Sequence, residues 1–499
     1  MKLSELLHET GIKCPEDMKN TADEIEITGI AFDSRKVKPG YLFVCLSGQH
    51  TDGHIYAADA VWKGAAAVLS QEDLGSRPFP VIQTASTRQA LARIAKIYYR
   101  DPARDMRIFG VTGTNGKTTI TYMLQRILET AGRSCGIIGT IGYHVGPRDY
   151  DSSRTTPESF EIWQLLAEMR KNGLTDCAME VSSHGLALGR VEGLEFTNSI
   201  FTNLTVDHMD FHHHMEDYYQ AKKKLFYMTR GAAVINVDDE QGERLYRELL
   251  ADEKLRRCGT LWGCSMVNRR AEFFCEPEEM TGRGSRALLY REGELLGRLS
   301  IGLPGRFNLY NAMESAACAV LSGIGMEEIS SALEDFAGAP GRFERVANQE
   351  GVTVIVDYAH TPDALDNVLK TARGVARGRL ITVFGCGGDR DKSKRPIMGK
   401  IAGSYSDYTI ITSDNPRTER QEDIARAIEL GILETKGEYE ILEGRRDAIA
   451  RAISLYRPGD VILIAGKGHE NYQIIGGSKN YFSDKETVEK ILKHNGGQV

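Results

Sequence analysis

The chain has 499 residues, of which 41% are hydrophobic and 26% charged, and it carries a formal net charge of −7. This composition excludes a mainly disordered chain, a collagen-like repeat and a coiled coil, and its length predicts two to four domains at roughly 100–200 residues each. The negative balance argues against broad nucleic-acid binding, which needs a dense cationic footprint, and no apolar run approaches the roughly 18–20 residues of a membrane helix.

The opening MKLSELLHETGIKCPED places acids and His8 where a signal peptide would be apolar. Nine cysteines, odd in number and never spaced C-x-x-C, fit free thiols in a reducing cytoplasm, packed as small hydrophobes.

In chain order, the first segment, 1–103, reads as a small α/β domain. Its strands are expected at 41–46 and 65–70, and helical spacing runs from Thr87 to Tyr99. The polar stretch YYRDPARDM closes it. The second segment, 104–337, alternates strands at 108–111, 135–141, 176–181, 199–203 and 232–237 with helical patterns, which predicts a mostly parallel, covered sheet. Short alternating runs from Cys264 to Leu303 predict a β-rich excursion. After GAPGRFERV, read as a linker, the third segment, 338–499, predicts strands at 352–356, 380–385, 408–412 and 461–466 with helices between, a Rossmann-like α/β domain. The fold class is α/β in three domains, with a phosphate loop on the central sheet.

That loop is the strongest chemical signal. IFGVTGTNGKTTITYMLQRIL at 108–128 leads a short strand through Gly113, Thr114, Asn115 and Gly116 into Lys117, Thr118, Thr119 and a helix. Loop amides and a helix N-terminus can cradle phosphate oxygens, Lys117 would reach the β/γ-phosphates and the Thr118 hydroxyl would hold Mg²⁺. Val111 stands where the strict motif has its first glycine. A bare glycine turn would explain the glycines but not Lys-Thr-Thr at the helix start.

Glu180 ends a strand of the same predicted sheet, where ligands bind in α/β folds, and is a candidate for the Mg²⁺ shell. DHMDFHHH at 207–214 invites a zinc reading, but consecutive side chains diverge and no cysteine accompanies them. One or two of these histidines are expected beside Mg²⁺ or phosphate, with His213 and His214 solvated. Ser183-His184 lacks a nucleophile elbow. Of Lys222, Lys223 and Lys224, at least two are expected on a solvated helix face. In the third segment the loops DYAHTPDAL, GCGGDRDKSKRP, TSDNPRTE and AGKGHENYQ follow strands and concentrate charge at one sheet edge.

Taken together, GTNGKTT, MEVSSHGL, FTNLTVDHMD, PGRFNLYN, DYAHTPDAL, GCGGDRD, DNPR and AGKGHE stand in the order of the Mur ligases, which this chain resembles over essentially its whole length. The resemblance implies a cytoplasmic, monomeric, ATP-dependent ligase of peptidoglycan precursor synthesis. It would add meso-diaminopimelate to UDP-N-acetylmuramoyl-L-alanyl-D-glutamate through an acyl phosphate, with ATP as co-substrate and Mg²⁺ as cofactor. Ser34 and the SGQHTDG turn at 47–53 would hold the uridine end, and Thr155, Thr156, Ser182 and Arg190 the rest of the UDP-substrate. Arg154, Pro157 and Leu188 depart from the family pattern. The resemblance also makes Glu180 and His208 metal-site residues and Lys222 a carbamate (N6-carboxylysine), and puts Asn308 and Arg342 near the nucleotide. Arg390, Asp414, Asn415, Pro416, Arg417, Gly466 and Glu470 match the amino-acid site. DNPR favours diaminopimelate over lysine. The lysine-adding ligase is the nearest rival, with the other Mur ligases and folylpolyglutamate synthetase in the same enzyme class; a nucleotide switch or binding module is the second rival, and no N-K-x-D guanine motif supports it.

Overall fold

A computed structural model describes residues 1–48, 51–75, 77–253 and 259–495. The fold is α/β with a large, mostly parallel sheet, and the chain divides into two compact units. The first comprises Met1–Gly110, Arg133–Thr197 and Lys224–Arg230; the second comprises Val111–Gly132, Asn198–Lys223 and Gly231–Val499.

In the first unit the strands Gly29–Ala31, Tyr41–Val44, Ala67–Ser70 and Val81–Gln83 form a four-stranded sheet in that order, all parallel. The shortest of these, Gly29–Ala31 and Val81–Gln83, have too few residues for sequence alternation to announce them. Side chains alternate across the pleat. Leu42, Val44 and Leu69 therefore pack with helices Leu3–Thr10 and Thr87–Tyr98 on one face, and Phe43, Cys45 and Val68 with Ala57–Trp62 on the other. The same unit pairs Cys135–Ile138 in parallel with Asp176–Glu180, and then turns back through Gly142–His144 and Asp149–Asp151. The run expected as one strand at 135–141 thus breaks after Ile138, where Gly139 lies against the Glu180 carboxylate.

In the second unit the expected β-rich excursion is an antiparallel meander, Phe273–Thr281, Gly284–Arg291 and Glu294–Ile301. The C-terminal sheet runs Glu344–Arg345, Val354–Asp357, Val461–Ala465, Leu380–Phe384, Tyr408–Ile411, Glu438–Ile441. Only its first, two-residue strand is antiparallel. That strand lies in the segment expected as a linker. Apolar clusters cover both faces of this sheet, so its polar chemistry is confined to the strand ends. The strand Glu438–Ile441 and the hairpin Tyr472–Ile475/Ser478–Tyr481 escape the sequence reading. The hairpin carries mostly exposed, polar residues and so shows no core periodicity.

Seven of the eight described cysteines are buried and all eight are free thiols; Cys258 lies outside the described residues. Among the described residues no helix is long and apolar enough to cross a membrane.

Candidate active site

The strand Arg107–Thr112 feeds a tight loop, and the helix Lys117–Thr130 begins on Lys117. Gly113 has φ +148° and Gly116 φ +89°. A Cβ on Gly113 would fall 1.8 Å from Thr202 Oγ1, and one on Gly116 2.5 Å from Asn311 Oδ1. Only glycine allows this approach. Val111 is fully buried in the strand core, so the turn starts two residues after the strict motif's first glycine.

The segment FTNLT braces the loop. Asn203 O accepts from Thr114 N at 2.9 Å and Asn203 Oδ1 from Asn115 N at 2.9 Å, while Thr202 Oγ1 donates to Asn115 O at 2.6 Å. Lys117 Nζ folds back onto Gly113 O (2.9 Å) and Thr114 O (2.8 Å), which puts a cation inside the loop.

A second lysine meets the same carbonyl. Lys222 is 1% exposed, donates from Nζ to Gly113 O at 2.7 Å and lies 4.6 Å from the Tyr218 ring centroid. Burial, then the neighbouring Lys117 ammonium, pushes its pKa well below the ordinary lysine value, with Asp207 opposing. Lys223 pairs with Glu248 and Lys224 is exposed. One lysine of the run therefore turns inward, as the sequence allowed.

His208 sits at φ +57° beside Asp207, and desolvation lowers its pKa to about 4, so it is neutral near pH 7. His213 and His214 are exposed; His212 is buried and stacks on Tyr218 with ring centroids 5.0 Å apart. His212 thus packs on Tyr218, whose hydroxyl lies 3.1 Å from Thr114 Oγ1 in the loop. Among the described residues, Asp52, His54 and Glu72 are the His, Cys, Asp or Glu side chains that gather as a group of three close enough to share a cation. There both ring nitrogens of His54 already bond Asp52 and Gln71 N.

Next to the phosphate loop lies a cavity of about 330 Å³ whose lining includes Asn115, Gly116, Thr119, Asn308, Asn311, Glu314 and Arg342, within the size range of small-ligand sites. Arg342 Nη2 donates to Thr118 Oγ1 at 3.2 Å, and its guanidinium lies 4.6 Å from the Tyr358 ring centroid. Asn308 Nδ2 donates to Pro304 O at 2.8 Å on the first turn of the helix Arg306–Val320.

The strand-end loops of the C-terminal sheet converge on Asn415. Its Nδ2 donates to Glu470 Oε2 at 2.9 Å, and its Oδ1 accepts from Ile474 N (2.9 Å) and from the fully buried Lys467 Nζ (3.3 Å). Glu470 also accepts from Lys467 (2.9 Å) and the Tyr472 hydroxyl (3.3 Å). Asp414 Oδ1 accepts from Asn415 N at 2.6 Å, and Asp414 Oδ2 lies 2.7 Å from where a Gly466 Cβ would be. Pro416 is buried.

Arg417 has φ +52°, donates from N to Ile474 O and from Nη1 to Gly388 O at 2.7 Å. Glu419, two residues on, binds Arg395 at 2.9 and 3.0 Å and Lys392 at 3.2 Å rather than Arg417. Arg390 is exposed, bonded to Asp389 O. Two groups here escaped the sequence reading. Lys467 was visible within AGKGHE. Arg445 was not: fully buried, it pairs with Asp484 at 2.7 Å and donates to Ser413 O and Ala465 O, joining two strand ends.

In the first unit, Glu180 is 1% exposed at its strand end. Its two oxygens accept from Thr140 N (2.8 Å) and Thr140 Oγ1 (3.0 Å), and Thr140 Oγ1 lies 3.0 Å from Thr155 Oγ1. Thr156 is fully buried, donating to Glu180 O and accepting from Ser182 N. Ser182 caps the helix Ser183–Ala187. Arg190 donates to Thr156 O at 3.0 Å and pairs with Glu158 at 3.0 Å. Glu158, unmarked in the sequence, also holds Arg88 and Arg154. Arg88 in turn donates to Ser47 O at 3.0 Å, tying this cluster to the 47–53 turn. Gln49 and His50 of that turn lie outside the described residues. Ser34 is buried in a short 3₁₀ turn capped by Asp33.

Comparison with known proteins agrees with this geometry. Three family models match: the Mur ligase family catalytic domain at 26–99, the Mur ligase middle domain at 111–319 and the Mur ligase glutamate ligase domain at 341–468. The UDP-N-acetylmuramoyl-L-alanyl-D-glutamate–2,6-diaminopimelate ligase of Alkaliphilus metalliredigens is 43% identical over 498 residues, 99% of this chain and 98% of that protein. A solved structure of a ligase with the same name is 30% identical, with TM-score 0.70 over 99% of both chains. The MurF ligase from Thermotoga maritima in complex with ADP shares the fold, at 16% identity and TM-score 0.61 over 94% of this chain and 97% of that one. The phosphate loop, the strand-end loops and the full-length likeness lead to one conclusion: the chain belongs to the Mur ligase family.

Proposed function

We propose that this chain is the ATP-dependent ligase that joins meso-diaminopimelate to UDP-N-acetylmuramoyl-L-alanyl-D-glutamate, releasing ADP and phosphate in cytoplasmic peptidoglycan precursor synthesis. The observation that carries the reading is the glycine-bound loop with Lys117 folded inside it, in a chain 43% identical to a diaminopimelate ligase over nearly its full length. Segments 1–103, 104–337 and 338–499 are assigned to the UDP-substrate, ATP and the amino acid, and each family match falls within one of them.

In the reaction the side-chain carboxylate of the D-glutamyl residue attacks the γ-phosphorus of ATP and ADP leaves. The amine of diaminopimelate then adds to the acyl phosphate, phosphate departs and the amine proton goes to solvent. Such phosphoryl transfer depends on alignment and charge neutralisation. Lys117 supplies a fixed cation, Gly113 to Thr119 the amide cradle, and Asn308 and Arg342 walls of the nucleotide cavity. Ser34, Thr155, Thr156, Ser182 and Arg190 hold the UDP-substrate. Asp414 to Arg417, Gly466, Glu470 and Arg390 receive the amino acid.

The candidate Mg²⁺ ligands beside the phosphate loop are Thr118, His208 and Lys222, and the family resemblance separately makes Glu180 a candidate. A hydroxyl, a carboxylate and a neutral imidazole suit the cation; a protonated Lys222 does not. A buried lysine held neutral can add CO₂, losing a proton and becoming an anionic carbamate whose remaining N–H still serves Gly113 O. Bound Mg²⁺ would neutralise phosphate charge.

The deciding experiment measures ADP release with meso-diaminopimelate, L-lysine and L-ornithine. The reading requires release that depends on both the UDP-substrate and diaminopimelate. Release without the UDP-substrate, or equal turnover of lysine, would refute it.

A further inference from the structure

The helix Arg306–Val320 presents Asn308, Asn311 and Glu314 at intervals of three residues, and all three line the cavity beside the phosphate loop. Residues three apart share a helix face. Asn311 abuts Gly116 of the phosphate loop, and Glu314 lies one turn further along the helix, away from that loop residue. Nothing in the family motifs of this chain singles Glu314 out. Its side chain is 1% exposed. Asn236 hydrogen-bonds the carboxyl, and Oε2 is buried with no hydrogen-bond partner.

An orphaned buried carboxyl oxygen is costly and calls for an explanation. The surroundings set its proton state. Burial first, then the nearby Asp239 and Asp238 carboxylates, push the Glu314 pKa well above the ordinary range, against the Asn236 hydrogen bond. Asp239 is committed to capping the helix Glu240–Ala251, and Asp238 accepts from Ser265, Met266 N and Tyr310. With Asn236 at one oxygen, a proton held by this carboxyl would occupy the unpartnered Oε2 and make it an O–H donor.

We infer that Glu314 is a base-reading residue of the nucleotide cavity, whose unpartnered Oε2 hydrogen-bonds a ring nitrogen of adenine. The inference rests on the ATP reading of the cavity and adds to it the group that recognises the base. A purine ring nitrogen accepts and cannot donate, so a neutral acid satisfies it and a carboxylate does not.

The test compares Glu314→Gln and Glu314→Leu by calorimetric titration with a non-hydrolysable ATP analogue, alongside the thermal midpoint of each protein. Gln retains a donor and should bind within about twofold of wild type. Leu removes the donor and should weaken binding about 5- to 10-fold, the worth of one neutral hydrogen bond. Its thermal midpoint should fall modestly, because the buried Asn236 donor loses its partner, and the titration is run well below that midpoint so that only folded protein is read. Among 1-deaza-, 3-deaza- and 7-deaza-ATP, one should bind wild type more weakly than ATP yet bind the Leu variant as well as ATP does. Leu binding as tightly as wild type, Gln falling as far as Leu, or equal wild-type affinity for all three deaza analogues would overturn the inference while leaving the ATP reading intact. Absence of ATP binding to wild type would remove both.

Discussion

Replacing Arg417 by alanine tests how the amino acid is chosen. meso-Diaminopimelate differs from L-lysine by a second carboxylate at its far end, and a guanidinium offers that group two parallel donors. Arg417 is available for this role because Glu419 is taken by Arg395 and Lys392. Of its five N–H donors, the hydrogen bond to Gly388 O uses one and fixes the plane. The backbone is held independently, by Arg417 N to Ile474 O and Gly476 N to Arg417 O, so the variant should fold. The positive φ of +52° is no worse for alanine than for arginine. A charged hydrogen bond is worth about 1.5–3 kcal/mol, so KM for meso-diaminopimelate should rise about 10- to 150-fold. Arg417→Lys should fall between, since it keeps charge but loses the fork. Steady-state ADP release gives both constants, with KM for ATP as internal control. An unchanged diaminopimelate KM, or equal rises in both, would refute the reasoning.

Lys117→Ala should lower kcat by roughly 10²–10³-fold, the cost of losing one preorganised charge donor, with the fold retained by circular dichroism; near-normal turnover would contradict the phosphate-loop assignment. Lys222→Ala should be inactive and partly rescued by added short carboxylates, and intact-mass analysis of active enzyme should show the carbamate; rescue by an amine instead would count against it. Arg445→Met strands Asp484 in the core and should cost about 3–5 kcal/mol in denaturant unfolding. Glu419 has its pKa held down at about 2, chiefly by the Arg395 hydrogen bonds, against some desolvation. Its folded-state pKa is depressed, so its stabilisation is full above the ordinary carboxylate value of about 4.3 and is lost as pH falls toward 2. Glu419→Gln should therefore flatten the acid limb of the stability–pH curve in that window.

What the sequence determined by itself is the chemistry carried on contiguous stretches. GTNGKTT holds a turn, a cation and a helix start within seven residues, so its function survives without knowledge of the fold. DNPR and AGKGHE likewise follow strands long and apolar enough to be seen, and strand ends are where α/β folds place ligands. The tertiary structure decided what depends on burial and on partners far away in the chain. Lys222, Lys223 and Lys224 are identical in sequence, yet only packing against Tyr218 buries the first and lowers its pKa. Glu158 becomes a hub because Arg88 and Arg190 arrive from distant parts of the chain to join the nearby Arg154. Arg445 gains its role only when Asp484, from the last helix, neutralises it inside the core. Glu314 lies in the apparently ordinary helix stretch AMESAACAV, and the fold alone turns it toward a cavity with one oxygen unpaired. A pattern of neighbours can encode a loop or a helix face, but desolvation and long-range pairing exist only once the chain has closed on itself.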